Sequence, residues 1–101
     1  MNNERILCAA IHYDDEEVYH LQPKGVATGF VLSGYRHAHI ITLAAELLHI
    51  PTTSNAKQGF LTDQNRFVGR EEAAQIAKDA KQLIEPYDEY QPTLLFSEHI
   101  Y

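Results

Sequence analysis

The sequence has very little cysteine and no long apolar run. Cys8 is the single cysteine among 101 residues, so the chain cannot form an internal disulfide. A lone cysteine within an apolar run is typical of a small buried side chain and indicates a reducing compartment. The apolar stretches fall far short of the roughly 20 residues of a membrane span. Because residues 1–4 are polar and acidic, unlike the basic start of a signal peptide, we expect a cytoplasmic protein.

Positive charge is also scarce. Lys and Arg number 8 against 14 Asp and Glu, which gives a net charge of −6. Binding along a DNA or RNA polymer requires many neutralised phosphates, so this composition argues against a polymer-binding protein. The sign reverses locally in residues 51–70, where Lys57, Arg66 and Arg70 are accompanied by Asp63 alone. Such a patch within an acidic chain favours the capture of a small anion.

Apolar residues are plentiful enough for one core. The chain is 45% hydrophobic and 10% aromatic, which excludes disorder and predicts a single domain over residues 1–101. Five segments have strand character: residues 5–13, 18–21, 26–32, 59–62 and 66–68. The acidic turn that follows the first segment predicts a hairpin with the second, and Gly29 predicts a bulge in the third.

Two segments carry apolar residues at helical spacing. The first, 36–49, is followed by a proline and by a loop at 52–55. The second, 70–84, has glutamates in its first turn and lysines towards its end, as the helix dipole favours, and a proline follows it. Residues 94–96 either add a last strand or dock on the core. The predicted fold class is α+β, with a small antiparallel sheet and two helices packed on one face.

The residue pattern contains no catalytic or metal-binding motif. His37 and His39 lie two residues apart, on opposite sides of the predicted helix, so they do not converge on one ion. Paired cysteines, glycine-rich phosphate loops and a nucleophile elbow around a serine are absent from the sequence. We therefore predict no metal, no cofactor and no enzymatic activity.

Two segments favour an anion site. Residues 34–37 begin the first predicted helix, and residues 57–70 end at the start of the second. The start of a helix offers free N–H groups and the positive end of the dipole, and arginine adds a fork of donors that matches phosphate oxygens. Arg36, Arg66 and Arg70 all fall in these segments, while Phe60 is either a stacking face for a base or part of the core.

Several short motifs resemble those of a family of small phage and prophage proteins. They are GFV at 29–31, GYRH at 34–37, QGFLT at 58–62, NRFV at 65–68 and LFSE at 95–98. The family includes Thoeris anti-defence sponge proteins, which bind a cyclic ADP-ribose isomer made by host TIR-domain enzymes. Members are small α+β homo-oligomers with pockets between protomers. By this resemblance Asn65, Arg66 and Arg70 reach the ligand, and Phe60 or Phe67 lies against a base.

The resemblance implies a phage protein of the host cytoplasm that sequesters a cyclic nucleotide immune signal without cleaving it. The ligand would be a cyclic ADP-ribose isomer or a cyclic oligonucleotide. The ligand-binding candidates are Arg36, His37, Phe60, Thr62, Asn65, Arg66 and Arg70. Apolar and aromatic residues of the last twelve positions would join the protomers: Tyr90, Leu94, Phe96, Ile100 and Tyr101.

Two alternatives stay open from the residues. The acids clustered at 14–17 and 85–89 also suit an interaction protein that inhibits a host protein by direct binding. Such a protein would mimic the negative charge of DNA. A small nucleotide-processing enzyme is the third hypothesis, and only a changed ligand would distinguish it from a sponge.

Overall fold

The computed structural model describes residues 3–52 and 56–101. Within them, a four-stranded antiparallel sheet has two main helices packed against it, as expected for the α+β class. The elements are β1 (Ile6–Tyr13), β2 (Phe30–Gly34), α1 (His37–Leu48), β3 (Lys57–Thr62), β4 (Phe67–Gly69), α2 (Arg70–Asp79), the short α3 (Tyr87–Tyr90) and a 3-10 turn at Ser97–His99. The predicted loop at 52–55 falls mostly on positions 53–55, which lie outside the described residues.

The strands follow the order β2-β1-β3-β4, so β1 is central. Ala9 pairs with Phe60 in β3, and Phe60 pairs with Val68 in β4. Register partners lie on the same side of a sheet, and all three side chains are buried there. Ile40 of α1 and Ala73 of α2 belong to the same hydrophobic cluster. The core therefore lies between one face of the sheet and both helices.

The predicted hairpin between 5–13 and 18–21 is wrong. The partner of β1 is β2, in a register that places Tyr13 opposite Phe30. Val18 and Leu21 are 80% and 100% exposed, so this segment buries no apolar side that would hold it as a strand. The strand propensity of residues 18–21 is therefore outweighed by the apolar burial that β1 gains when it pairs with β2.

Residues 14–29 instead form a long connection that bonds to both outer strands. At β2, Val31 N–H donates to the Gln22 side chain at 3.0 Å, and just before β2 Gly29 N–H donates to the Glu17 carbonyl within the connection at 2.7 Å. At β4, Phe67 N–H donates to the Lys24 carbonyl at 3.2 Å. The connection thereby supplies partners for main-chain groups that the edges of the sheet leave unpaired.

Two boundaries differ from the predicted ones for local reasons. Gly29 is no bulge: its φ of +80° turns the chain just before β2, and a Cβ there would lie 2.4 Å from the Tyr13 carbonyl oxygen. The helix predicted over 70–84 ends at Asp79 because Lys81 takes a left-handed φ of +57° and Gln82 N–H returns to the Ala77 carbonyl at 2.8 Å. This is a Schellman-type helix end.

The segment 94–96 docks on the core and forms no strand. Leu95 is fully buried, and its N–H donates to the Arg70 carbonyl at 2.9 Å. The helix predicted over 36–49 is confirmed as α1, whose end has His49 in the left-handed region. Cys8 is half-buried in β1, and this burial raises the pKa of its thiol.

Replacement of Gly59 by alanine is expected to destabilise the fold. A Cβ at this position would lie 2.1 Å from the Val68 carbonyl oxygen and 2.9 Å from the Phe67 ring, so β3 and β4 must separate. We expect Gly59→Ala to lower the free energy of unfolding by about 2–3 kcal/mol, typical of overpacking. Gly69→Ala is the matched control, because its Cβ would meet only the Lys57 side chain, at 3.4 Å. Equal urea midpoints for the two variants would contradict this account of the strand contact.

Candidate functional site

The structure divides the predicted ligand residues into two groups. Thr62, Asn65 and Arg66 lie at the turn between β3 and β4. Arg36, His37 and Arg70 lie near the C-terminal segment 95–101, here called the tail. The two helix starts therefore contribute to one region, while the turn between β3 and β4 is held by a different set of contacts.

Arg66 is held by carboxylates. Its Nε and Nη2 donate to the two oxygens of Glu4, both at 2.8 Å, and Nη2 also donates to Glu72 at 2.9 Å. Glu4 is buried, and Thr62 donates its hydroxyl hydrogen to the same carboxylate at 2.5 Å. The bonds to Glu4 and Glu72, in that order, raise the pKa of Arg66. Arg66 and Thr62 thus compensate a buried charge, which is a structural role.

Asn65 and Phe60 also have structural positions. Asn65 is exposed in a turn with φ of +57°, where its N–H donates to Thr62 and its carbonyl accepts from Lys24. Phe60 has no exposed surface and meets the His37 ring edge-on, with 5.1 Å between ring centroids. The question whether Phe60 lines a pocket or the core is therefore decided in favour of the core.

His37 connects α1 to the sheet. Its Nε2–H donates to the Gly59 carbonyl at 2.7 Å, and the residue is only 8% exposed. Burial lowers the pKa of His37, with a smaller lowering from Arg70 and opposing contributions from the Gly59 bond and Glu98. The neutral imidazole is therefore the favoured form, and its hydrogen bond holds the start of α1 against β3.

Arg36 lies between two tyrosine rings and bonds to the tail. Its Nη1 donates to the Ser97 hydroxyl at 3.0 Å, and Nη2 donates to the main-chain oxygen of Tyr101 at 2.6 Å. The guanidinium carbon lies 4.8 Å from the centroid of the Tyr35 ring and 5.0 Å from that of Tyr101. These distances are within the range of cation–π attraction.

Arg70 has a parallel arrangement at the start of α2. Its Nη1 donates to the Leu95 carbonyl at 2.7 Å, and Nη2 donates to the Gln58 side chain at 2.6 Å. Its guanidinium carbon lies 4.3 Å from the centroid of the Phe96 ring. Burial lowers the pKa of Arg70, and Glu98 acts in the opposite direction.

Arg36 and Arg70, with Tyr35, Phe96 and Tyr101, are called the tail cluster below. In residues 3–52 and 56–101, the arginine ion pairs with Asp or Glu side chains are both made by Arg66, whereas Arg36 and Arg70 bond to the side chains of Ser97 and Gln58 and to main-chain oxygens of the tail. The acceptors at Leu95 and Ser97 are two residues apart, so their Cα atoms lie within about 7 Å. The tail cluster thus places two positive charges beside three aromatic rings.

Sequence reasoning missed the residues that decide these roles. Glu4 carries no local signal, because its partners are 58 and 62 residues away. Ser97 and Gln58 carry no signal in the sequence. They become partners of Arg36 and Arg70 only when the tail packs beside the starts of α1 and α2. Tyr101, predicted as a contact between protomers, packs on its own chain, where its hydroxyl donates to the Tyr35 carbonyl at 2.7 Å.

A groove of about 500 Å³ runs between α2 and residues 91–94. Its lining includes no residue of the tail cluster and none of the predicted ligand residues. Across the described part of the chain, no three His, Cys, Asp or Glu side chains come together as a metal site. The helices within residues 3–52 and 56–101 are too short or too polar to cross a bilayer.

Loss of Arg66 is expected to destabilise the protein strongly, because it leaves Glu4 charged and buried. We expect Arg66→Ala to cost about 3–5 kcal/mol of unfolding free energy. Glu72→Ala removes only the exposed half of the network and should cost less than about 1 kcal/mol. Chemical denaturation of both variants checks the difference. A small effect of Arg66→Ala would show that Glu4 does not depend on it.

Stability is expected to fall as the pH drops from 7 to 5. The unfolded chain binds a proton on histidine near its ordinary pKa, whereas burial holds the pKa values of His37 and His99 lower in the folded state. Protonation below about pH 6.5 therefore favours unfolding, until the lower folded values are reached. His37→Gln should flatten the pH dependence of the unfolding free energy, and the exposed His39→Gln should not. Equal slopes for both variants would contradict this assignment.

Comparison with known proteins gives one result. No curated protein and no solved structure matches the chain. A family model described as Phage T4 y16D protein matches residues 5–101. This description confirms the expected phage character of the family, and it shows no link to the Thoeris anti-defence proteins and no ligand or activity. Since the match covers nearly the whole sequence, the chain belongs to the Phage T4 y16D protein family.

Proposed function

We propose that this phage-family protein binds a cyclic nucleotide immune signal at the tail cluster and holds it intact, away from its effector. The ligand class is a cyclic ADP-ribose isomer or a cyclic oligonucleotide. The observation that carries the proposal is the pair Arg36 and Arg70, which stack on aromatic rings and bond to oxygens of the tail, with no Asp or Glu ion pair among the described residues. The proposal needs binding and no chemical step by the protein.

Charge is the first support. The chain carries −6 overall, yet among the described residues neither guanidinium group makes an ion pair with an Asp or Glu side chain. Glu98 is the acid that acts on Arg70, and it is exposed to solvent, which screens its charge. A phosphate group would neutralise the positive pair through charge-assisted bonds.

Donor geometry is the second support. A guanidinium has five N–H donors, and in the described contacts Arg36 and Arg70 each use two of them. The remaining donors are available to phosphate oxygens without release of the tail. Each charge-assisted bond contributes about 1.5–3 kcal/mol. A nanomolar affinity requires about 12 kcal/mol, so other contacts with the ligand must supply the rest.

Exposed aromatic rings are the third support. Tyr35 is 58% exposed and Phe96 is 40% exposed, and each has a guanidinium on one side. A base stacked on such a ring contributes about 1–3 kcal/mol, as in proteins that bind single-stranded nucleic acids. The two phosphates of a cyclic ADP-ribose isomer or a cyclic dinucleotide would match the two arginines, and each of these ligands brings at least one base to stack on a ring.

A second function has its own observation. Residues 14–21 are exposed throughout and place four acids beside Val18 and Leu21, which are 80% and 100% exposed. Acidic and apolar side chains on one exposed segment suit a basic, partly apolar protein partner. If this segment inhibits a host protein, capture of that protein should fail when residues 14–17 are neutralised to Asn and Gln.

The proposed function predicts release of an intact ligand from the heated protein. The full chain is incubated with a panel of cyclic ADP-ribose isomers and cyclic oligonucleotides, freed of unbound ligand, denatured by heat and analysed by mass spectrometry. Arg36→Gln and Arg70→Gln should each weaken binding about 10-fold or more, since loss of one charge-assisted bond costs about 1.5–3 kcal/mol.

Lys78→Gln is the matched control, because it removes the same charge from an exposed position on α2 outside the tail cluster. Thermal unfolding of each variant separates lost binding from lost folding. An altered product would establish an enzyme instead. No retained ligand from the whole panel, or equal binding by both arginine variants, would reject the site.

A further inference from the structure

The outer side of α1 is apolar. Leu43, Leu47 and Leu48 are 55%, 70% and 51% exposed, although Ile40 and Ala44 on the other side already fill the core. A helix on the surface of a monomer normally turns charged residues outwards. α2 follows this rule, with Arg70, Glu71, Glu72, Lys78 and Asp79 among its ten residues. In α1 the one Asp, Glu, Lys or Arg is Glu46, so this helix has two apolar sides.

A groove runs along the exposed leucines. It has a volume of about 250 Å³ and lies between α1 and the outermost strand, β2. Its lining consists of Leu32, Ser33, Ile40, Leu43, Ala44, Leu47 and Leu48. The hydroxyl of Ser33 is the one polar side chain in that set. Such a surface offers water few hydrogen-bond partners. Contiguous exposed apolar patches of this kind mark interaction sites.

The adjoining strand edge is partly closed to another strand. Val31 N–H, within β2, already donates to the Gln22 side chain. A peptide that extended the sheet along β2 would have to displace this bond. The helix face and its groove are therefore the docking element, rather than the strand edge.

We infer that the occupant of this groove is α1 of a second copy of the chain, packed antiparallel about a two-fold axis. This goes beyond the proposed function and does not depend on it. His39, Leu43 and Glu46 are all exposed and follow the four-three spacing of a helix–helix seam. This order makes the seam self-complementary in an antiparallel pair. The basic side chain of His39 is at one end, the acidic side chain of Glu46 is at the other, and Leu43 lies between them.

The antiparallel register follows from that charge pattern. When the axis passes between positions 42 and 43, Glu46 of each copy meets His39 of the partner subunit. The imidazole then donates to the carboxylate at both ends of the seam. Antiparallel helices also place opposite dipole ends together. Leu47 lies beside Leu43 on the groove side of the seam and is covered by the partner helix, and a two-fold contact closes without leaving a free face.

The test measures the oligomeric state of the full chain by sedimentation equilibrium over a range of concentrations. We expect a dimer. Leu47→Glu should raise the dissociation constant about 10-fold or more per site, since burial of a leucine contributes about 1.5–3 kcal/mol. Leu94→Glu is the matched control, because Leu94 is 47% exposed and belongs to the segment that the sequence favoured as the contact. The control should remain a dimer.

A charge exchange tests the register itself. His39→Glu places two carboxylates together, and Glu46→His places two imidazoles together, so each change alone should weaken the dimer. The double variant restores opposite groups at both ends and should recover most of the affinity. Recovery of this kind is not expected from residues that act only within one protomer.

Three results would overturn the inference. The first is a monomeric wild-type chain up to about 1 mM, the limit of weak association. The second is a dimer that Leu94→Glu dissociates and Leu47→Glu leaves intact, which would assign the contact to the segment near the tail. The third is a monomer whose α1 binds phosphatidylcholine vesicles in a Leu47-dependent way, which would assign the leucines to a lipid surface.

Discussion

The main chain of β1 requires hydrogen-bond partners from the far end of the sequence. The register of β1 with β3 shifts between Ile6 and Cys8, so the regular ladder is interrupted there. The Gln82 side chain pairs with both main-chain groups of Ile6, at 2.8 and 2.9 Å, and the Tyr101 hydroxyl bonds to Ala9 N–H at 3.3 Å. A buried main-chain group without a partner is costly, so these long-range bonds hold the C-terminal third against the central strand.

The tail cluster is a consequence of that closure. Once the tail lies beside β1, its carbonyls face the starts of α1 and α2, where Arg36 and Arg70 project. The arginines stabilise the tail, and neither of them makes an ion pair with an Asp or Glu side chain in the described residues. Arg66 shows the opposite solution, because its charge is matched to the buried carboxylate of Glu4. Similar residues in neighbouring segments thus have different roles, set by what lies across from them.

The fold was largely predictable because its elements follow local periodicity. The candidate site was only partly predictable, because its arginines could be found in the sequence but their partners could not. Both main helices and the strands around Ile11 and Phe60 repeat their apolar residues at the expected spacing. The hairpin at 18–21 failed because pairing depends on burial, and burial depends on distant residues. Arg36 and Arg70 were found as cations near helix starts. The sequence could not show that Arg66, unlike Arg36 and Arg70, is paired with a carboxylate, because Glu4 is 62 residues away from Arg66.

The sequence by itself determined the fold class, the two helices, the acidic charge and the three arginines of interest. These are properties of composition and of spacing within one element, which act over a few residues. Only the tertiary structure decided which arginine is neutralised, that Phe60 is core, and that α1 turns leucines outwards beside β2. Each of these depends on contacts between segments far apart in the chain, and such contacts leave no mark on the local pattern that a sequence displays.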